Sequence, residues 1–404
     1  MMYGYGNMIS PTNRLFGGGG ANPAFLMTID TTQPGSASDT FILPCGSIGT
    51  YNATIDWGDG STSNITTYND ADLTHVYSVG GTYQIEINGS LPYINFSFGG
   101  DKLKAISIDN WGSNQWLSMQ QAFGGCTNLT IPATDVPDFS LCTSFFRAFR
   151  DCPLGTLTNT NQWDMSSATR IDSIFENTSI QGHLNLSNWD LSNCESVGLG
   201  SFPFMSNADI TSIDVSNWTL RTAGVALSSF IINCDLLTTV TGINTWVNTT
   251  GLTSFSNILN GNALVSSIDF SGMDLSNCAT FQRMCYVNAS LSIINVTGMT
   301  LKSFGTISMN SALYWNNSGN LMDIIGLDTW NIEYVNNFTG FMSSTQMTTV
   351  EYDKLLISWD SQDAVNNLAV NFGTSKYTLG SSAETARAGL IANDLWTITD
   401  GGGI

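Results

Sequence analysis

A short apolar phrase recurs through the middle of the chain and sets its period. In each copy one apolar residue is followed by a second two positions later, and by a large Trp or Met three positions after that. The clear copies are Ile106, Ile108 and Trp111; Leu184, Leu186 and Trp189; Ile213, Val215 and Trp218; Ile268, Phe270 and Met273; Ile294, Val296 and Met299; and Ile325, Leu327 and Trp330, while looser copies centre on Phe139, Trp163 and Trp246. Successive large residues fall 24 to 31 positions apart, a period typical of stacked repeats.

Each copy of the phrase predicts one short β-strand. Two apolar side chains two positions apart share one face of a strand, and the polar residue between them points outward. A strand this short cannot bury its face alone, so we expect the copies to stack into a parallel sheet with a continuous core. A large and a small residue three positions apart then predict a helical or 3₁₀ turn behind the sheet. This second element has the copies Phe123–Cys126, Phe149–Cys152 and Ile231–Cys234, with Phe175–Thr178 and Leu259–Asn262 as variants.

Residues 25–100 have a different pattern, which predicts a separate β unit. Apolar residues alternate with polar ones at Tyr83, Ile85 and Ile87, and again at Phe96 and Phe98. Glycine pairs at positions 58 and 60 and at 80 and 81 mark turns between the strands.

The last part of the chain, residues 351–404, predicts a mixed α/β segment. Tyr352, Leu355, Leu356 and Trp359 have the spacing of an amphipathic helix. A strand-like run follows at 369–372, and Ser381 with Glu384 has the spacing of a capping box that opens a second helix through 386–392. A stack of repeats needs a cap over its last apolar face, and we expect this segment to provide it.

Residues 1–24 combine the flexible run Gly17–Gly20 with large apolar side chains. Those side chains are Tyr3, Tyr5, Met8, Leu15 and Phe16. One interpretation is a disordered tail, and the other is an arm that becomes ordered on another subunit. We favour the arm, because a simple linker has no need of so many aromatic residues.

Three sets of residues resemble known families. Ser187–Cys194 and Ser216–Trp218 resemble the repeat phrase of BspA-like leucine-rich-repeat surface proteins, a resemblance that covers about residues 101–350. The hexapeptide Asp56–Ser61, followed by His75 and Tyr77 and then by Gly81 and Tyr83, resembles the PKD-like domains of the immunoglobulin-like class. The segment 351–404 resembles the C-terminal cap of phage and bacterial members of the BspA-like group. PKD-like domains are spacers and adhesion modules, so the resemblance implies binding or scaffolding.

These patterns and resemblances together predict the fold class. We expect a mainly β chain with an N-terminal arm at 1–24, an immunoglobulin-like (PKD-like) sandwich at 25–100, a leucine-rich-repeat-type solenoid at 101–350 and an α/β C-terminal cap at 351–404.

Composition and charge exclude several partners. Only 11% of the residues are charged, and 12 basic residues against 32 acidic ones give a net charge of −20. Nucleic acids and anionic membranes need clustered Lys and Arg, so we expect neither as a partner. No run of 18 apolar residues predicts a membrane span.

The eight cysteines mostly occupy the repeat frame. Six of them do so: Cys126, Cys142, Cys152, Cys194, Cys234 and Cys278. Because Cys packs well as a small apolar residue, we favour free buried thiols over disulfide bridges.

The sequence predicts no catalytic, cofactor-binding or metal-binding residue, and no cofactor. His75 lies within the PKD-like motif and His183 precedes a repeat strand, and no nucleophile elbow or phosphate loop is present. Asp56 and Asp59 have two interpretations, as Ca²⁺ ligands or as caps that accept hydrogen bonds in their own turn; we favour the caps. The repeat carboxylates have the alternatives of surface-turn residues, which we favour, and of a glycoside-cleaving pair. They are Asp109, Asp164, Asp190, Asp214, Asp269 and Asp328.

Localisation and function follow from the surface and the start of the chain. Met1–Gly20 lacks the pattern of a signal peptide, although the polar surface resembles that of secreted proteins. A virion protein released by lysis would reconcile the two, so our first hypothesis is a non-enzymatic structural or adhesive protein of a bacteriophage surface, as a capsid decoration, head fibre or tail fibre. Its partners would be other virion proteins, bound through the arm, and a host surface glycan or protein, and we expect a homo-oligomer. The alternatives are a bacterial cell-surface adhesin and a fibre-associated glycan depolymerase.

Overall fold

The computed structural model describes residues 23–314, 316 and 320–404, so the predicted arm lies almost wholly outside the described residues. In the described part the fold is mainly β with two α-helices, which confirms the predicted class at that level. The N-terminal strands are β1 Phe25–Asp30, β2 Thr40–Ile42, β3 Asn52–Asp56, β4 Thr62–Ile65, β5 Thr74–Val76, β6 Thr82–Ser90 and β7 Ala105–Asn110.

The middle of the chain consists of many short strands. They are β8 Phe175–Glu176, β9 Gly182–Asn185, β10 Asp190–Leu191, β11 Ser196–Gly198, β12 Met205–Ser206, β13 Ile210–Asp214, β14 Thr219–Leu220, β15 Ala226–Leu227, β16 Ile231–Ile232, β17 Thr239–Thr241, β18 Leu259–Asn260, β19 Ser267–Asp269, β20 Cys285–Tyr286, β21 Ile293–Asn295, β22 Ile307–Ser308, β23 Leu321–Ile325, β24 Val335–Asn337 and β25 Gln346–Met347. The last elements are α1 Thr349–Asp360, β26 Ala369–Asn371, α2 Ser382–Ala392 and β27 Thr397–Thr399.

The N-terminal unit has two antiparallel sheets. One has the strand order β4-β3-β6-β1-β7, and the other pairs β2 with β5. Strand β1 alternates buried and half-buried residues along its length, as expected of a strand with one face on a core. The predicted alternation at Phe96 and Phe98 does not form a strand. Ser97 and Phe98 instead adopt left-handed backbone conformations, and the amides of Phe96 and Phe98 donate to carbonyls of residues 122 and 124.

Strand β7 joins the two halves of the molecule. One of its edges pairs antiparallel with β1 of the N-terminal sheet, while Ser107 forms a parallel bridge with Thr130 on the other edge. The strand predicted to open the repeats is therefore also the last strand of the N-terminal sheet. Ile108 is buried as predicted, whereas Ile106 is only half-buried.

Parallel pairing dominates the middle of the chain. We call each stretch from one paired strand to its next partner a coil. One set of sheets contains β9-β13-β17 and β19-β21-β23-β25, and the other contains β8-β12-β16-β18-β20. Within each set the partners lie one coil apart, as where Leu184 pairs with Ile213 and Ile213 with Val240. The short strands of successive coils therefore stack side by side in parallel, as the sequence analysis predicts.

One predicted inward residue points outward. Ile325 was expected to face the core with Leu327, but its side chain is 42% exposed, and the preceding Ile324 is fully buried. Ile324 is the residue that pairs with Ile294 of the previous coil. Gly326 has a φ of 87° and adds one residue before Leu327, so the chain switches faces between the two apolar positions.

The large repeat residues form a buried row. Trp163, Trp189, Trp218 and Trp246 stack in sequence with ring centroids 6.2, 5.7 and 5.2 Å apart and nearly parallel planes. Each of the last three donates its indole N–H to a backbone carbonyl within the core. All four rings are buried, so they belong to the core and do not form a surface platform for a ligand.

The cysteines of the coils are free and buried. All eight cysteines are free, and seven of them are buried, which confirms the preferred interpretation. Burial raises the pKa of the Cys142, Cys194 and Cys234 thiols to about 12, so these thiols stay protonated.

At the position of Cys234 the later coils have an amide, and the backbone N–H of Cys234 donates to the side-chain oxygen of Asn262. The fully buried Asn262, Asn288 and Asn316 connect successive coils, since the side-chain oxygen of Asn288 accepts from the backbone N–H of Asn262, and that of Asn316 from the N–H of Asn288. The amide groups of Asn288 and Asn316 donate to backbone carbonyls one coil back along the chain, those of Leu259 and Cys285. Thr345 continues the series by accepting from the N–H of Asn316.

The C-terminal segment has the predicted elements. Helix α1 buries Tyr352, Leu355, Leu356 and Trp359. Helix α2 is capped by Ser381, which accepts from the N–H of Ala383, while Glu384 accepts from the N–H of Gly380. Strands β26 and β27 pair in parallel, so the segment continues the pairing pattern of the coils.

Candidate functional site

The predicted turn carboxylates of the N-terminal unit accept hydrogen bonds within their own loop. Asp56 accepts from the backbone N–H of Gly58 at 2.9 Å, and Asp59 accepts from the N–H of Ser61 at 2.9 Å and from its hydroxyl at 2.6 Å. These are the bonds expected of turn caps. Among the described residues there is no group of three or more His, Cys, Asp or Glu side chains that could hold a metal ion.

His75 lies beside this turn in an aromatic cluster. Its ring stacks on Trp57 with centroids 4.8 Å apart, and its Nε2 lies 2.9 Å from Asp59 Oδ2 and 3.3 Å from Ser61 Oγ. Both partners approach the same ring nitrogen, and the Ser61 hydroxyl donates to Asp59, so these residues cannot act as a nucleophile–base–acid relay. Burial opposes ionisation of Asp59, but hydrogen bonds from Ser61 and His75 outweigh it and lower the pKa of the carboxyl to about 2.

Most of the aspartates singled out in the repeats form similar turns. Asp164, Asp190, Asp214 and Asp269 each accept from the backbone N–H of the serine two positions later. Asp109 differs, since its carboxylate accepts from the side chains of Thr28, Gln84 and Ser107 at the β1–β7 junction. At Asp328 the backbone carbonyl accepts from Ser358. His183 bonds to Ser212 of the next coil through Nδ1 at 2.8 Å.

A group that the sequence analysis missed lies on the outer surface of the coils near residues 146–202. We call it the arginine–phenylalanine site, and it consists of Phe146, Arg147, Arg150, Arg170, Glu176 and Phe202. The Arg147 guanidinium lies over two rings, 4.8 Å from the centroid of Phe146 and 4.7 Å from that of Phe202. The Arg170 guanidinium lies 3.7 Å from the Phe146 centroid. Phe146 and Phe202 meet edge to face at 5.5 Å.

The backbone explains why these side chains point outward. Phe145 is fully buried against Phe139, so the next residue in this extended segment, Phe146, faces the opposite side. Arg147 has a φ of 55°, a left-handed conformation that turns the chain before the buried Ala148 and Phe149. This conformation is uncommon for a side chain as large as Arg.

Phe202 lies two coils after the one that contains Phe146 and Arg147, and it reaches the site because its coil contains an insertion. Phe175 pairs with Met205, 30 residues later, whereas Met205 pairs with Ile231 only 26 residues later. The additional chain forms a tight turn in which Leu199 and Phe202 exchange backbone hydrogen bonds of 3.1 and 3.0 Å. Insertions in repeat proteins lie on one face of the stack, often the binding face.

The charges of the site are unevenly paired. Arg150 forms an ion pair of 3.2 Å with Glu176, and Arg170 Nε lies 2.5 Å from a carboxylate oxygen of the buried Asp172. Arg147 has no acidic partner within 4 Å in the part of the chain that the structure describes. Its pKa is lowered by burial first and then by the neighbouring positive charge of Arg150.

Several polar atoms of the site have unused hydrogen-bonding capacity. Eight buried side-chain atoms have no hydrogen-bond partner in the described residues, and three of them lie here: Arg147 Nε, Arg150 Nε and Glu176 Oε2. Because buried polar groups are nearly always hydrogen-bonded in folded proteins, a concentration of exceptions is informative. Two signals in the sequence could have revealed the site. They are the run Phe145–Arg150, which is basic in a chain with 12 basic residues, and the long spacing from Phe175 to Met205.

Comparison with known proteins adds one match. Two overlapping segments, residues 94–198 and 143–230, match the family described as Mycoplasma protein of unknown function, DUF285. That family is associated with BspA-like surface proteins, so the match supports a surface protein. No curated protein and no solved structure matches the chain. None of the helices in the described residues is long and apolar enough to cross a membrane.

Proposed function

We propose that this chain is a non-enzymatic adhesive or structural protein of a bacteriophage virion surface, serving as a capsid decoration or as part of a head or tail fibre. The observation that carries the proposal is a contrast within the surface. Both histidines and the candidate acids other than Asp328 hydrogen-bond through their side chains within the fold. The arginine–phenylalanine site instead has an unpaired charge on Arg147 and two half-buried aromatic rings. Such a surface is suited to binding rather than to bond cleavage.

The fold assignment within this proposal is also specific. We assign residues 25–100 to the PKD-like, immunoglobulin-like class and residues 101–350 to a leucine-rich-repeat-type solenoid. In support, the N-terminal sheets are antiparallel around a shared core, and the coils pair in parallel at a period of 23 to 30 residues. In both classes known members serve mainly as binding or spacing modules.

Attachment to the particle would use the N-terminal arm. The described chain begins at the β7 junction, where the carbonyl of Pro23 accepts from the N–H of Ser113 at 2.8 Å and the carbonyl of Ala24 accepts from Asn110. Pro23 and Ala24, the first described residues, are therefore bonded to the junction between the two halves. Burying several of the large apolar side chains of the arm on another virion subunit, or on a second copy of this chain, would contribute about 1.5–3 kcal/mol each.

The attachment test uses particles that lack the native protein. Full-length protein should bind them, and protein without residues 2–20 should not, although both should fold. Equal binding by the truncated form contradicts the arm. Release of reducing ends from host polysaccharide by the purified protein would contradict the non-enzymatic assignment and favour a depolymerase.

A bacterial cell-surface adhesin is the second candidate, favoured by the match to a Mycoplasma family. Mass spectrometry separates the two. Peptides of this chain should appear in purified virions under the first proposal, and in the surface fraction of uninfected cells under the second.

A further inference from the structure

We propose that the arginine–phenylalanine site binds an anionic saccharide, with the carboxylate or phosphate of the sugar on Arg147 and a sugar ring against Phe146 and Phe202. This inference rests on the proposed adhesive function and names the ligand class of that function.

The charge distribution favours an anion. Three of the twelve basic residues of a chain with a net charge of −20 meet in this site. Two of them already have acidic partners, and Arg147 has none among the described residues. A planar guanidinium donates two parallel hydrogen bonds to a carboxylate or phosphate, so an anionic group would complete the pairing of Arg147.

The unpaired polar atoms favour a saccharide over a simple anion. Glu176 Oε2 lacks a donor and Arg147 Nε lacks an acceptor. A bare anion supplies acceptors only, and it would be repelled by Glu176. A sugar acid supplies both kinds of group, because its hydroxyls donate while its acidic group accepts. Both side chains are partly exposed but the two unpaired atoms are buried, so binding through them requires each side chain to rotate toward the ligand.

The aromatic residues provide the complementary surface. Phe146 and Phe202 are both half-buried, and the inserted turn holds Phe202 over Arg147. Two rings beside a few convergent polar groups are the usual composition of a small-molecule site. The turn exists only in the coil that adds the four residues, which places the site at one point of the stack rather than in every coil.

The experiment is isothermal titration of the full chain with four matched probes. They are an oligogalacturonate for the carboxylate, a phosphorylated oligomannose for the phosphate, neutral dextran of the same length, and a short poly-glutamate peptide. We expect binding to at least one of the two acidic sugars and a dissociation constant at least tenfold weaker for dextran and for the peptide. The stronger acidic sugar identifies the anionic group. Absence of binding to both acidic sugars at millimolar concentration, or equal binding of the peptide, overturns the proposal.

The variants locate the binding to this surface. Arg147→Ala should weaken the acidic sugar about tenfold or more, and Arg147→Lys should restore part of the loss, because Lys keeps the charge without the planar fork. Phe202→Ala should also weaken it, with unchanged unfolding confirming the fold. Arg221→Ala is the matched control, since Arg221 is an exposed arginine of a nearby coil paired with Glu195 at 3.1 Å. Equal affinity of Arg147→Ala and wild type overturns the site.

Cell adhesion separates the saccharide site from the adhesive function. If Arg147→Ala still adheres to host cells like wild type, the saccharide site fails while the adhesive function stands. If wild-type protein binds the acidic sugar but adheres to no host cell, the saccharide site stands while the adhesive function fails.

Discussion

The N-terminal unit and the repeat region bury their aromatic side chains in different ways. In the N-terminal unit Trp57, His75, Tyr77 and Tyr83 pack in a closed group, partly face to face and partly edge to face. In the repeat region Trp163, Trp189, Trp218 and Trp246 form an open-ended row with nearly parallel planes. The first group is complete by itself, whereas each ring of the second depends on the coils before and after it. Stability in the repeats is therefore shared between neighbours.

The largest effect should come from removing the C-terminal segment that follows the last coil. Deleting residues 351–404 removes helix α1, with its buried Tyr352, Leu355, Leu356 and Trp359, and uncovers the last coil. Because an exposed apolar face of this size leads to association, we expect aggregation instead of a shorter soluble protein. Size-exclusion chromatography of the truncated chain checks this, and a single monomeric peak would contradict the role of the segment as a cap.

The next largest effect should come from one ring within the row. Trp218→Ala removes a fully buried side chain that stacks on Trp189 and Trp246, so we expect a loss of about 3–5 kcal/mol in the free energy of unfolding. Urea denaturation measures it. Val247→Ala in the adjoining coil is the control, because Val247 is 51% exposed and its truncation should change stability by less than about 0.5 kcal/mol. Similar losses for both variants would contradict the buried row.

A smaller loss is expected from the amide row. Asn288→Ala leaves the backbone N–H of Asn262 without a partner inside the core and removes one of the hydrogen bonds to the carbonyl of Leu259, which should cost about 2–3 kcal/mol. Asn277→Ala is matched in chemistry, since its amide donates to the Thr250 carbonyl at 2.8 Å on an exposed coil, and it should cost less than about 1 kcal/mol. Thermal unfolding of the two variants measures the difference. Equal unfolding midpoints for Asn288→Ala and Asn277→Ala would contradict a larger contribution from the buried amide.

The smallest effect concerns pH and is confined to the N-terminal unit. The pKa of Asp59 is about 2 in the folded chain against an ordinary value of 3.8. A depressed folded pKa gives a stabilisation that is present above pH 3.8 and is lost as the pH falls toward 2. Solvent screening keeps it below about 1 kcal/mol. Asp59→Asn should therefore lower stability at pH 7 and match wild type near pH 2, as measured by urea denaturation; an equal difference at both pH values would contradict it.

Sequence periodicity predicted the core of the repeats because stacking leaves few alternatives. A pair such as Leu184 and Leu186 has one face to bury, and only another coil can cover it. The same argument failed at Ile325, where the single additional residue Gly326 moves the buried position to Ile324. Alternation cannot detect such a shift, because a one-residue slip exchanges the two faces of a strand.

Sequence periodicity could not predict the arginine–phenylalanine site. Arg147 and Phe202 are 55 positions apart, and they meet only because an insertion changes the length of one coil. Predicting that contact needs the number of residues in every intervening turn. The turn carboxylates were easier, since Asp164 and Ser166 lie two positions apart and their bond is local.

The row formed by Asn262, Asn288 and Asn316 also constrains how such a chain can grow by gene duplication. A copied coil inserted beside Asn288 would keep the series of hydrogen bonds intact. Its amide oxygen would accept from the backbone N–H of the asparagine before it, and its own N–H would donate to the amide oxygen of the asparagine after it. A copy of a cysteine-containing coil, such as the one with Cys152, would interrupt the series, because its thiol cannot replace the amide oxygen that accepts from the backbone N–H of the preceding coil. Changes in coil number should therefore be tolerated within the amide segment or within the cysteine segment, and the boundary between Cys234 and Asn262 is where lineages of this architecture should differ least in length.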